Sequence, residues 1–136
     1  MVILFDQFNL PEDIFEIVFA TSQQKIVGKV LINYLKEKNG EVTKPEMSDF
    51  ATKLHNGELV TEIDEPAYKG KKVKLSYNKR QFYDRILTPM KSMGIIDYDL
   101  YKKTYKLSDN FQKEMMRIGT MWLKEFKKPP FLIKKK

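Results

Sequence analysis

The sequence contains no cysteine and a single histidine, His55. Without thiols there can be no disulfide scaffold, thiolate metal site or cysteine nucleophile. One imidazole excludes every site that needs two, the HExxH zinc helix among them. The six glycines (28, 40, 57, 70, 94 and 119) form neither a phosphate-binding P-loop nor a GxGxxG word. No apolar run approaches the 18 residues a membrane span requires. The opening Met1-Val-Ile-Leu-Phe5 has no basic stretch before it and runs straight into Asp6, so a signal peptide is not expected. What remains is a foldable chain of 136 residues, 42% hydrophobic and 12% aromatic, short enough that residues 1–136 are expected to form one domain.

Charge is distributed unevenly. Residues 1–68 hold 6 Lys/Arg against 12 Asp/Glu, whereas residues 69–106 hold 11 against 3. Residues 107–136 add 8 against 3, and the whole chain carries +7. A basic block inside a globular chain creates a directed positive field and points to a polyanionic partner; the plainer alternative is a solvated lysine-rich surface.

Hydrophobic periodicity divides the chain into helices. Pro11-Glu12-Asp13 opens a short helix over 11–20 with the stripe Ile14, Phe15, Val18 and Phe19. Thr21 or Ser22 caps the next, whose row Ile26, Val27, Val30, Leu31, Tyr34 and Leu35 ends at Asn39-Gly40. Thr43-Lys-Pro-Glu46 is a capping box, followed by Met47, Phe50, Ala51 and Leu54 and stopped by Asn56-Gly57. The 18-residue stretch 58–75 is too long for a bare loop, so Leu59–Ile63 and Lys72–Leu75 are expected to pair as a hairpin. Ser76 or Asn78 starts a helix to about Met93, with Phe82, Tyr83, Ile86, Met90 and Met93 on one face and Pro89 expected to kink it. Ile95–Leu100 and Tyr105–Leu107 alternate as a second hairpin around Tyr101-Lys-Lys-Thr104. Ser108-Asp109 caps a last helix to about 128, striped by Phe111, Met115, Ile118, Trp122 and Phe126. A basic tail, 129–136, follows.

The element order and the words Arg80–Ser108, with the Met93-Gly-Ile-Ile96 corner and the Tyr105-Lys-Leu-Ser108 ending, resemble a winged helix-turn-helix DNA-binding protein. Small prokaryotic and archaeal regulators of the MarR-like and PadR-like kinds are similar over residues 21–127. The resemblance implies a mainly α fold with a small β-hairpin wing (α+β). Its parts would be an N-terminal arm (1–20), a core (21–108) with an insertion at 58–75, a C-terminal dimerisation helix (109–128) and a tail (129–136).

The residues make their own case for nucleic acid. At 100° per residue, turning Phe82, Ile86, Met90 and Met93 inward turns Tyr77, Arg80, Gln81, Asp84, Thr88 and Lys91 outward, with Arg85 at the boundary. Arg, Gln, Thr and Lys are the donors that read base edges in a major groove. Asp84 can orient Arg80 as an i, i+4 partner or accept from a cytosine amino group. Asn78 and Lys79 open the helix, and Lys102 and Lys103 stand where a wing tip would cross a phosphate backbone. The tyrosines 77, 83, 98, 101 and 105 share this basic block; stacking on single-stranded bases is the lesser reading, packing inside the wing the commoner one.

Enzyme words are weak. Ser76-Tyr-Asn-Lys79 and Ser22-Gln-Gln-Lys25 match S-x-x-K without the partner motifs that chemistry requires. Glu58, Glu62, Asp64 and Glu65 lack calcium-loop spacing. His55 reads as a partner for a helix C-terminus. No catalytic residue, metal or cofactor is expected. The leading expectation is a transcriptional regulator that binds double-stranded DNA as a homodimer, cytoplasmic and nucleoid-associated, through no membrane contact, with Phe111, Met115, Ile118, Trp122 and Phe126 as its seam. The alternatives are an interaction module for an acidic protein partner and a non-specific architectural chromatin protein.

Overall fold

The computed structural model describes residues 7–8, 10–62 and 72–133. The expected hairpin residue Ile63, the acids Asp64 and Glu65, the lysines 69 and 71, and Lys134–Lys136 lie outside them. The architecture is mixed, α+β.

Helix α1 spans Ile14–Val18, shorter than the expected 11–20, because the Asp13 carboxylate accepts the Phe15 N–H at 2.9 Å and so stands at the cap. Helix α2 (Ser22–Glu37) begins under Thr21, whose hydroxyl accepts from Gln24 N–H. It ends where Asn39 (φ 60°) and Gly40 (φ 87°) turn left-handed and the Gly40 N–H returns to the Leu35 carbonyl at 2.7 Å. Strand β1 (Glu41–Thr43) follows, and α3 (Lys44–His55) starts on the capping box read from the sequence. In it Thr43 Oγ1 accepts from Glu46 N–H at 3.2 Å, and Glu46 Oε1 accepts from Thr43 N–H at 3.0 Å.

The expected hairpin in the long insertion is present as β2 (Leu59–Glu62) and β3 (Lys72–Leu75), antiparallel with Leu59 opposite Leu75 and Glu62 opposite Lys72. Helix α4 (Lys79–Phe82) then runs through a π-helical turn, Tyr83–Leu87, into α5 (Thr88–Ser92). Strands β4 (Ile96–Asp99) and β5 (Thr104–Leu107) form the second hairpin, and helix α6 (Asn110–Lys127) closes the described chain.

The sheet order is β1-β5-β4. Strand β1 was not foreseen: three residues with one buried side chain, Val42, carry no periodicity of their own. Its place comes from pairing with β5 across the fold, Val42 opposite Tyr105 and Glu41 opposite Lys106. The core joins α2 (Val27, Leu31, Leu35), α3 (Met47, Phe50, Leu54), the segmented helix (Phe82, Ile86, Leu87, Met90) and the sheet (Val42, Ile96, Tyr105).

The apolar stripe of α1 packs on α2. Phe19 is buried against Gly28, while Phe15 and Val18 lean on the same core. The pairs Glu16–Lys25 (3.3 Å) and Asp13–Lys29 bind the acids of the arm to α2. Two acids of the arm, Asp13 and Glu16, are thereby paired within the chain.

Candidate nucleic-acid interface

The segmented helix is set into the body through its first turn. Asn78 Oδ1 accepts from Gln81 N–H at 3.1 Å, one half of a capping box. The Lys79 N–H, an orphan of that turn, is taken by His55 Nδ1 at 3.0 Å. His55 at the end of α3 thus serves the next helix's N-terminus in addition to any dipole role, and the geometry requires its Nδ1 to be the acceptor nitrogen. Lys79 Nζ donates to Ser48 Oγ (3.2 Å) and Thr52 Oγ1 (2.9 Å), and the Tyr77 N–H reaches the Leu54 carbonyl (3.1 Å).

This anchoring corrects one expectation for the outward face and commits a second candidate side chain to the body. Tyr77, expected outward, is 5% exposed: its backbone is held to the end of α3, and that turns its ring into the core. Lys79 spends its ammonium on α3, because two hydroxyls one helical turn apart stand within its reach. Asn78 is exposed but spends its carbonyl oxygen on the cap.

The rest of the face is open. Arg80, Gln81, Asp84, Arg85, Thr88 and Lys91 are all exposed. The i, i+4 partnership of Arg80 and Asp84 is present at 3.8 Å, loose and solvent-screened. The kink expected at Pro89 takes the form of the π turn. Proline has no N–H and its ring crowds the carbonyl four residues back. Here the Thr88 N–H bonds to the Tyr83 carbonyl, five residues back, and the wider turn accommodates Pro89. This changes the faces. At 100° per residue Leu87 lies well off the row of Phe82 and Ile86. In an i→i+5 turn residues five apart come into line, and Leu87 is 1% exposed. Met93, expected fully inward, is only half-buried.

The wing meets this helix at Lys91. Its ammonium lies 5.6 Å from the ring centre of Tyr98 and 5.9 Å from that of Tyr105, two rings stacked at 4.6 Å with 12° between their planes. Lys91, read as a base or phosphate contact, therefore also ties helix to wing. Burial pushes the Tyr105 hydroxyl up from its ordinary pKa, and Tyr83 likewise. At the tip, Asp99 Oδ1 accepts from the N–H groups of Tyr101 (2.9 Å) and Lys102 (3.1 Å). Those two bonds, Lys102's the larger, hold its carboxyl below the usual carboxylate range. Lys103 takes φ 53°, and its carbonyl accepts from Lys44 N–H at 3.0 Å. The backbone of the turn is tied down while Tyr101, Lys102 and Lys103 stay exposed.

The expected seam residues stand away from the body. Phe111 is half-buried where its N–H meets the Gly94 carbonyl at 3.1 Å. Gly94 (φ 83°) suits this corner, since a Cβ there would lie 3.0 Å from Asn110 Cβ. Met115, Ile118, Trp122 and Phe126 are exposed, the last two at 70% and 79%.

Among the described residues no cluster of three metal-ligating side chains occurs, and no helix is long and apolar enough to cross a membrane. Compared with protein-family models, curated proteins and solved structures, the chain returned no match.

Proposed function

We propose that the protein is a winged-helix regulator of transcription that binds double-stranded DNA, placing the segmented helix 79–92 in the major groove and the 99–104 turn on the phosphate backbone. The observation that carries this reading is the open polar row Arg80, Gln81, Arg85 and Thr88 on a helix whose Lys91 meets the strands of a hairpin bearing exposed Lys102 and Lys103 at its tip. Helix, strand, helix, helix and hairpin, with β1 added to the second hairpin strand, is also the arrangement a winged helix uses. The row supplies side-chain donors for base edges, and the tied turn presents cations with little backbone entropy left to lose.

A selection from random duplexes would yield a preferred site, on which each variant is titrated at several salt concentrations. Arg80→Ala should cost about 1–3 kcal/mol on that site and less on random DNA. Lys102→Ala should weaken all sequences alike and lower the salt slope by about one. If neither variant alters DNA binding while an acidic protein partner is lost, the surface is an interaction module. Equal weakening of all sequences by both marks an architectural protein that reads no sequence.

A further inference from the structure

Helix α6 buries none of its residues, although it is strongly amphipathic. A helix of 18 residues without tertiary packing is only marginally stable in water. At 100° per residue Met115, Met116, Ile118, Trp122, Leu123 and Phe126 share one broad side. Lys113, Arg117, Lys124, Lys127 and Lys128 gather on the side opposite, and Glu114 and Glu125 lie on one border between the two. Each acid of this segment has a basic neighbour: Asp109–Lys113 at 3.1 Å, Glu114–Arg117 at 3.7 Å and Glu125–Lys128 at 2.8 Å. Lys124 and Lys127, both exposed, pair with no carboxylate among the described residues. Beyond Pro129-Pro130 the apolar side chains continue as exposed Phe131, Leu132 and Ile133, ahead of Lys134-Lys135-Lys136 in the sequence.

We infer that α6 and residues 131–136 dock on the surface of an anionic lipid bilayer. The helix lies in the interface plane, Trp122 and Phe126 toward the acyl chains and its bases at headgroup level. Lying on a bilayer needs no spanning segment, and the expectation of no membrane contact gives way here. Charge selects this occupant. Residues 107–136 hold 8 Lys/Arg against 3 Asp/Glu, net +5, and every base near an anionic surface adds to binding. The screening length at physiological salt, about 8 Å, is close to the width of a helix, so the field of a charged bilayer reaches the bases on the far side as well. A second copy of α6 would instead set like charge against like. A seam between two helices also ends where the helices end, which would leave Phe131, Leu132 and Ile133 in water. Lipid docking by α6 is independent of DNA binding by helix 79–92.

Trp122 is the chain's single tryptophan, so its fluorescence reads the apolar side directly. The full chain is titrated with vesicles of phosphatidylcholine alone, and with vesicles of phosphatidylcholine and phosphatidylglycerol in equal parts, at low and high salt. The mixed vesicles should shift Trp122 emission to the blue and carry the protein in flotation, less so at high salt, and phosphatidylcholine alone should do neither. Lys124→Gln with Lys127→Gln should lower partition into the mixed vesicles by about tenfold. Ile118→Glu with Phe126→Glu should abolish it, with the thermal transition of the body retained because neither side chain belongs to the core. An unshifted Trp122 on mixed vesicles overturns the proposal. Binding that survives the double glutamate variant overturns it too, since the basic body alone would then hold the lipid. A chain that sediments as a dimer, with Trp122 emission already blue and unmoved by vesicles, gives the face to a second copy. A shift that duplex DNA produces as fully as the vesicles do gives α6 to DNA.

Discussion

Gly28→Ala should destabilise the protein, against the usual effect of that substitution in a helix. In an unobstructed helix interior, alanine is favoured over glycine by about 0.5–1 kcal/mol. At position 28 the new methyl would lie 2.4 Å from Phe19 Cε2 and 2.7 Å from Cζ, inside any real carbon–carbon contact. Phe19 must therefore move, and it is 8% exposed, stacked beside Phe15 at 6.4 Å. Overpacking of this kind costs about 1–3 kcal/mol, comparable to what burying a phenylalanine contributes. The propensity gain offsets part of it, leaving a net loss of about 1–2 kcal/mol. Urea unfolding followed by circular dichroism measures the difference. The background decides the cause: in Phe19→Ala the ring is gone, so Gly28→Ala should there stabilise by about 0.5–1 kcal/mol. If Gly28→Ala stabilises both backgrounds equally, the coupling is zero and α1 is not clasped to α2 through this pair.

Leu87→Ala should cost about 2–5 kcal/mol as a core truncation, while Thr88→Ala next to it stays within about 0.5 kcal/mol; the reverse order in thermal unfolding would contradict the π turn. His55→Ala leaves the Lys79 N–H without its acceptor and should cost about 1 kcal/mol in the same assay, with Lys79→Met adding to it through the lost Ser48 and Thr52 bonds. The carboxyls of Asp13 (held by Lys29), Glu46 (by the Thr43 N–H) and Asp99 are all lowered in the folded state. Their contribution is complete above the ordinary values of 3.8 and 4.5 and is lost as pH falls through the lowered ones. Tyr34, Tyr83 and Tyr105 are raised by burial, so stability should also fall as pH rises past 10. Denaturation midpoints should be level in between; a loss already complete at pH 6 would contradict these assignments.

The sequence by itself determined whatever depends on near neighbours. The capping box at Thr43 and Glu46, the left-handed stop at Asn39-Gly40 and the buried rows of α2 and α3 are short-range events, decided by hydrogen bonds three or four residues apart and by helical period. The two hairpins are local too, each strand pairing with the next along the chain. Tertiary structure decided the rest. Strand β1 exists because β5 accepts it from far along the chain, Val42 opposite Tyr105, a pairing that three residues cannot announce. Pro89 signalled a disturbance, but whether it would bend the helix or widen one turn depended on Leu87 finding room in the core. Tyr77 looked like a surface residue by periodicity, and Lys79 like a base opening the helix. Tyr77 turned inward and Lys79 was drawn onto α3 because the end of α3, distant in sequence, supplied a carbonyl, two hydroxyls and an imidazole where the new helix needed partners.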